Sequence, residues 1–158
     1  MGFLLMKLDN HRESEQISRE RQLETDEIFT NKYCCDLMIS MLKEEDFYPG
    51  KTFLEPSAGD GNLVEAVLRQ KLKYCTPTEA IKDIFAIEYM KDNYDFLCNR
   101  VLNIIGDTPE HRKIVMNNFA FANTIDQTDT SEGRKYPEWM PDYVKPMNEP
   151  GSLDFFFE

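Results

Sequence analysis

Apolar side chains return every three or four residues in three stretches of the chain, which is the spacing of one face of an α-helix. These stretches are residues 30–42, 60–73 and 92–105. Either Thr30 or Asn31 can cap the first, because both side chains can accept a hydrogen bond from an early backbone N–H group. The pattern therefore predicts three amphipathic helices.

Two further helix starts are marked by a threonine that precedes a proline. Thr76 and Glu79 have the spacing of a capping box, with proline at the first helical position. Thr108 is also followed by proline and then by an acidic residue. We expect a short helix after each threonine.

Short apolar runs alternate with these helices and predict β-strands at residues 51–55, 83–88 and 118–122. The middle run is apolar almost throughout, which is typical of a strand covered on both faces. Strands that alternate with helices through short connections predict a parallel sheet with right-handed crossovers. The predicted fold class is therefore α/β.

The two ends of the chain differ from this middle part. Residues 1–28 form a mainly polar leader, which is either solvated or a lightly docked helix. Residues 29–125 hold the predicted domain. Residues 126–158 form an acidic tail that is too rich in proline for a helix or a central strand. This tail either wraps over the domain or orders on a partner, and its last residues, LDFFFE, predict a strand or an apolar anchor.

The charge of the chain narrows the function classes. Its 158 residues are 41% hydrophobic, and 18 basic residues face 29 acidic ones, for a net charge of −11. Residues 125–158 alone carry −5. Because nucleic-acid affinity rests mainly on cations that face phosphates, this balance argues against a protein that grips DNA alone. An acidic protein can instead bind basic protein surfaces or imitate DNA.

Membrane, secretion and metal signals are weak. The apolar runs are shorter than the roughly 18 residues that a membrane span needs, and residues 1–8 lack the basic start of a signal peptide. We therefore expect no membrane association and a cytoplasmic location. No C-x-x-C pair is present, so we expect no metal site and reduced, mostly buried thiols.

The segment FLEPSAGDGNL, residues 53–63, has the pattern of a ligand-binding loop. A predicted strand ends in Glu55, Gly59 and Gly61 follow, and a helix then begins. Glycines let the backbone turn sharply and approach a ligand, and the helix N-terminus adds oriented N–H groups. A dinucleotide site would need G-x-G-x-x-G, but Val64 stands at the third glycine position, which disfavours that alternative.

This segment resembles the first motif of class I S-adenosylmethionine-dependent methyltransferases, and especially that of phage-type DNA adenine-N6 methyltransferases. The family pattern is E-P-x-x-G-x-G-x-F/L, which Glu55, Pro56, Ala58, Gly59 and Gly61 match. The resemblance implies a three-layer Rossmann-like methyltransferase fold, with a reduced parallel sheet and helices on both faces. It also implies S-adenosylmethionine as the cofactor and S-adenosylhomocysteine as its product.

Segments on both sides of the loop extend the resemblance. Phe29 and Thr30 resemble the F-T-P motif that contacts the methionine carboxylate, although Asn31 replaces the proline. About thirty residues after the glycines, a predicted strand ends in Glu88. The resemblance implies that Glu88 holds the ribose hydroxyls and that Tyr89 lies against the adenine.

Two departures from the family affect the predicted chemistry. Asn123 follows the third strand, where the family usually has an aspartate that bonds the adenine amino group; its carbonyl could still accept that bond. The second family motif, D/N-P-P-Y/F, which holds the target base, is missing, and the sequence has no Pro-Pro pair. No catalytic residue can therefore be assigned.

We consequently expect an S-adenosylmethionine-binding, methyltransferase-like protein that does not methylate DNA on its own, as a cofactor-binding half or a degenerate enzyme. One alternative is an anti-restriction or host-protein-binding module on the same scaffold. Another is a small methyltransferase with a non-DNA substrate. The acidic tail is the expected protein contact, DNA is bound weakly or through a partner, and a phage-encoded chain would lie in the host cytoplasm.

Overall fold

The structure is a computed structural model that describes residues 20, 21, 23 and 28–140. It contains three strands, which are β1 (Phe53–Glu55), β2 (Ile84–Glu88) and β3 (Phe119–Phe121). Its helices are α1 (Lys32–Ser40), α2 (Asn62–Lys71), α3 (Pro77–Lys82), α4 (Lys91–Ile105) and α5 (Pro109–Asn118), with short 3₁₀ turns at Glu44–Phe47 and Ser131–Gly133. Most of the predicted leader, and the end of the tail with LDFFFE, lie outside the described residues.

The strands form one sheet in the order β1-β2-β3, and both neighbouring pairs are parallel. Phe53 lies beside Ile84, and Ala86 lies beside Phe119. The prediction of an α/β fold with a parallel sheet is confirmed. The strands are shorter than predicted: β1 lacks the first two predicted residues, β2 lacks the first, and β3 lacks the first and the last.

The two faces of the sheet are covered differently. Ile84 and Ala86 point into the main core, which they share with residues from α2, α3, α4 and α5. Ile87 points the other way, into a small cluster against which Trp139 and Met140 pack. In the described range, the helices of the core therefore lie on one face, and a helix layer on the second face stays a prediction.

Side-chain caps fix where the helices begin. Asn31, and not Thr30, caps α1, because its Oδ1 accepts a hydrogen bond from the Cys34 N–H at 2.9 Å. Thr76 forms the predicted capping box at α3, and Thr108 caps α5. The polar residues that the sequence pattern singled out thus act as predicted.

The apolar side of α1 is not buried. Cys35 is the buried residue of this helix, whereas Tyr33 is 76% exposed and Leu37 is 50% exposed. Met41, just after the helix, is 78% exposed. Helical periodicity is therefore confirmed here, but the spacing alone does not show which side of the helix meets the core.

A buried ion pair joins the end of α2 to the start of β2. Lys71 Nζ lies 2.9 Å from Asp83 Oδ2 and also donates to the carbonyl of Lys51 at 2.9 Å. The same Asp83 oxygen accepts the Gly50 N–H at 2.8 Å. Because each charge has several partners, the pair holds the chain that leads into β1 against both elements.

The cysteines agree with the expectation of mostly buried thiols, with one exception. Cys35 and Cys75 are buried, Cys98 is partly buried and Cys34 is exposed; all are free. Burial raises the pKa of Cys35 and of Cys98 to about 11, which suppresses the reactive thiolate.

Two features are absent from the described residues. No helix there combines the length and the apolar character that crossing a bilayer requires. Nor does this part of the chain contain a group of three or more His, Cys, Asp or Glu side chains that could hold a metal ion.

Candidate functional site

The glycine loop lies at the carboxyl end of the sheet, directly after β1. The N–H of Ala58 donates to the carbonyl of Ile87 at 2.9 Å, so the loop bends back toward β2. The N–H of Gly61 then donates to the carbonyl of Ala58, also at 2.9 Å. Two backbone hydrogen bonds, which involve no side chain, thus hold the chain between β1 and α2 in this path.

The carboxylate of Glu88 fastens this loop to the end of β2. Its Oε2 accepts the N–H of Gly59 at 2.7 Å, and its Oε1 accepts the N–H of Met90 at 2.7 Å. Hydrogen bonds to a charged acceptor are stronger than neutral ones. Both carboxylate oxygens of Glu88 therefore bind backbone N–H groups, one in the segment after β1 and one in the segment after β2.

Both loop glycines have backbone angles that disfavour a side chain. Gly59 has φ +57°, and a Cβ there would lie 3.3 Å from the ring of Phe29. Gly61 has φ +91°, and its Cβ would lie 2.5 Å from Leu97 Cδ1. The residue type at each position is therefore set by backbone conformation and by close packing.

A buried arginine supports the loop from behind. Arg100 donates through Nη1 to Asn62 Oδ1 at 2.7 Å and to the Asp60 carbonyl at 3.2 Å, and its Nε binds Glu65. Burial raises the pKa of Glu65, but the hydrogen bonds and charges of Arg69 and Arg100 outweigh it and hold the pKa below its usual value. Local sequence patterns do not reveal the role of Arg100, because it lies in α4, about forty residues from the loop.

The segment before α1 closes one side of the loop. Phe29 is buried, and the carbonyl of Thr30 accepts a hydrogen bond from Asn62 Nδ2 at 3.0 Å. A small cavity of about 50 Å³ lies between this segment and the loop, with Glu55 at its edge. The structure therefore brings together five of the predicted residues at one cavity, which are Phe29, Thr30, Glu55, Ala58 and Gly59.

Asp60 and Asn62 also line this cavity and were not among the predicted residues. The available signal was their position beside Gly61, at the start of a helix.

Glu55 is one of the two acidic residues that line the cavity, together with Asp60. Burial raises the pKa of its carboxyl, while a hydrogen bond from the Ser57 N–H lowers it less, so the pKa lies above the usual value. The folded state therefore disfavours the charged form of Glu55, and this carboxylate would gain from a cationic partner.

Tyr89 lies beyond Glu88, with its side chain partly open to solvent at 46% exposure. The guanidinium carbon of Arg134 lies 3.8 Å from the ring centroid, and Arg134 Nε donates to the Tyr89 carbonyl at 3.1 Å. This cation–π contact covers one face of the ring and holds the ring in its orientation. Arg134 was not among the predicted residues, since it sits in the tail 45 residues away.

Asn123 organises a turn after β3. Its Oδ1 accepts the N–H groups of Ile125 and Asp126, each at 3.0 Å, and its Nδ2 donates to Asp129 at 3.2 Å. The next residue, Thr124, donates to the carbonyl of Pro56. The turn is thus attached to the glycine loop. The side-chain carbonyl of Asn123, which was expected to accept a hydrogen bond from adenine, already accepts two hydrogen bonds within the turn.

Comparisons with known proteins add no assignment to this geometry. The chain matched no protein-family model, no curated protein and no solved structure.

Substituting Gly61 by alanine should destabilise the chain more than the same change at Gly50. Gly50 has φ +82°, and a Cβ there would have no atom within 4 Å, whereas the Cβ at Gly61 would collide with Leu97. Backbone strain costs about 1–2 kcal/mol at either site, and overpacking typically adds about 1–3 kcal/mol. The measurement is the free energy of unfolding in urea; equal losses for Gly50→Ala and Gly61→Ala would contradict the proposed contact.

The variant Glu55→Gln should be more stable than the native chain at pH 7. The folded-state pKa of Glu55 is raised, so its contribution to stability is present below the unfolded pKa of about 4.3 and is lost as the pH rises through the folded value. The advantage of glutamine should therefore vanish by about pH 4. Thermal unfolding between about pH 4 and pH 7 measures this difference in stability, with the exposed Glu110→Gln as control. A stability advantage of Glu55→Gln that grows on acidification would contradict a raised pKa of Glu55.

Proposed function

We propose that the chain binds S-adenosylmethionine at this cavity and is a DNA adenine-N6 methyltransferase-like protein that does not methylate DNA on its own. The observation that carries the proposal is the hydrogen bond between the Gly59 N–H and the Glu88 carboxylate. It brings a glycine loop and a strand-end carboxylate side by side. In α/β sheets, the region outside the carboxyl ends of the strands is where ligands bind.

The amino-acid end of the cofactor suits the small cavity. Its volume of about 50 Å³ accommodates a small charged group and not a nucleoside. The N-terminus of α2 favours a carboxylate there. Burial destabilises the charged form of Glu55, so its carboxylate would bind the ammonium group of the cofactor. Phe29 and Thr30 would close this end from the side of α1.

The nucleoside end would lie on the open surface beyond the loop. Glu88 would accept the ribose hydroxyls at its carboxylate, which also holds the Gly59 and Met90 N–H groups. The exposed part of the Tyr89 ring would contact the adenine, and Arg134 would keep that ring in place. We assign Asn123 to the turn that supports Pro56. When bound, the cofactor supplies a methyl group activated by its sulfonium.

Protein binding is a second candidate function. The exposed apolar side of α1, with Tyr33, Leu37 and Met41, is the observation that favours it. An acidic chain with such a surface fits an anti-restriction or host-protein-binding module, whose partner would carry basic residues around an apolar groove. The remaining alternative, a small methyltransferase with a non-DNA substrate, would use the same cofactor site. It would transfer the methyl group to an acceptor other than DNA.

Calorimetric titration with S-adenosylmethionine and S-adenosylhomocysteine should detect binding to the full chain. Glu88→Gln should weaken it at least tenfold, which corresponds to about 1.4 kcal/mol, because glutamine offers one acceptor where the carboxylate offers two. Glu110→Gln, an exposed carboxylate in α5, is the matched control. The absence of heat at millimolar ligand would reject the cofactor site and favour the protein-binding alternative.

A methyl-transfer assay on unmodified double-stranded DNA should give no labelling with this chain alone. The sequence lacks D/N-P-P-Y/F, and residues 125–158 carry a net charge of −5, which repels phosphates. Radiolabelled S-adenosylmethionine measures the transfer, with a known adenine methyltransferase as positive control. Robust labelling of adenine would show that the chain is a complete DNA methyltransferase.

A further inference from the structure

The side of α1 that faces away from the core carries no charged residue. Cys35 is buried and Ile39 packs against the main core, so these two residues mark the inward side of the helix. Given the helical repeat, the outward side of α1 and the residue after it consists of Tyr33, Cys34, Leu37, Ser40 and Met41. The charged residues of the helix, Lys32 and Asp36, pair with each other at 2.5 Å. A contiguous uncharged surface of this kind is typical of an interaction site.

Three large side chains form a row along this outward side. Tyr33, Leu37 and Met41 follow one another at intervals of four residues, and each is at least half exposed. Residues four apart lie on one ridge of a helix surface. The row is centred on Leu37, with the tyrosine one turn before it and the methionine one turn after it.

The row is complementary to itself when two copies of α1 meet antiparallel. With a two-fold axis beside Leu37, this residue lies opposite its own copy, and Tyr33 of each chain lies opposite Met41 of the other. A thioether beside an aromatic ring is a favourable contact. A second copy therefore supplies a matching side chain for every member of the row.

The charges at the two ends of α1 favour the same antiparallel arrangement. Lys32 begins the helix, whereas residues 43–46, directly after it, hold three acidic residues and one basic residue. The helix dipole adds partial positive charge at the start and partial negative charge at the end. Antiparallel pairing places the start of each helix beside the acidic end of the other, whereas parallel pairing would bring like charges together.

We propose that two copies of this chain pair through the outward side of α1 as an antiparallel, two-fold symmetric dimer. The nine residues of the helix span only about 14 Å, so the contact is smaller than a standard interface of about 1,600 Å². The dimer is therefore weak, and its population depends on concentration. The pairing is independent of the cofactor site and uses the same surface as the protein-binding candidate.

Sedimentation equilibrium of the full chain without cofactor tests the pairing. In about 0.15 M salt, which screens the repulsion between two chains of net charge −11, the native chain should shift from monomer to dimer between micromolar and millimolar concentration. Leu37→Asp should weaken dimerisation at least tenfold, because it places a carboxylate opposite its own copy. Met116→Asp, the same kind of change at a residue of α5 that is 74% exposed, should leave dimerisation unchanged.

Disulfide formation between copies tests the antiparallel register. In a Cys34→Ser background, Leu37→Cys should give a covalent dimer on oxidation at least tenfold faster than Met116→Cys, which measures random collision. Tyr33→Cys alone should not exceed that control, since two antiparallel copies hold this position too far apart for a disulfide. A mixture of the Tyr33→Cys and Met41→Cys chains should exceed it.

Any of three results excludes the proposed dimer. A native chain that stays monomeric at millimolar concentration contradicts the pairing and leaves the outward side of α1 to a different protein. Dimerisation that survives Leu37→Asp places the contact elsewhere on the chain. Fast cross-linking of Tyr33→Cys alone indicates a parallel pair. None of these measurements uses the cofactor, so their outcome is separate from that of the proposed binding site.

Discussion

A single carboxylate sets the geometry at the carboxyl end of the sheet. Glu88 ends β2, and its oxygens accept one N–H from the glycine loop and one from the residue that precedes α4. Both segments are therefore positioned relative to the same strand. The chain after β1 and the chain after β2 thus meet at this carboxylate.

The loop is also held by a buried cation on its other side. Arg100 binds the backbone of Asp60 and the side chains of Asn62 and Glu65, so α4 and α2 are joined beneath the turn. Burying these charges is unfavourable unless each has good partners. Arg100 has three such partners at the loop, and they link the turn to α2 and α4.

Local patterns predicted most of the fold and part of the site. The helix periodicity, the threonine caps and the glycines act over a few residues, so the sequence alone indicated them. The exposed side of α1 and the roles of Arg100 and Arg134 depend on tertiary packing across about forty residues or more, which local spacing does not encode. Asn123 was predicted as a ligand contact, but its amide is engaged in a turn that only the folded chain reveals.

The sequential strand order has a consequence for how the protein is made. Each strand pairs with the strand that precedes it in the chain, so during synthesis the sheet can grow in one direction, from β1 to β3. The first strand to emerge therefore keeps its outer edge uncovered for the longest time. An uncovered strand edge is a template for pairing with other chains. Of the two edges that the sheet has in the described residues, the β1 edge is formed first, and aggregation of nascent or partly folded molecules should accordingly start there.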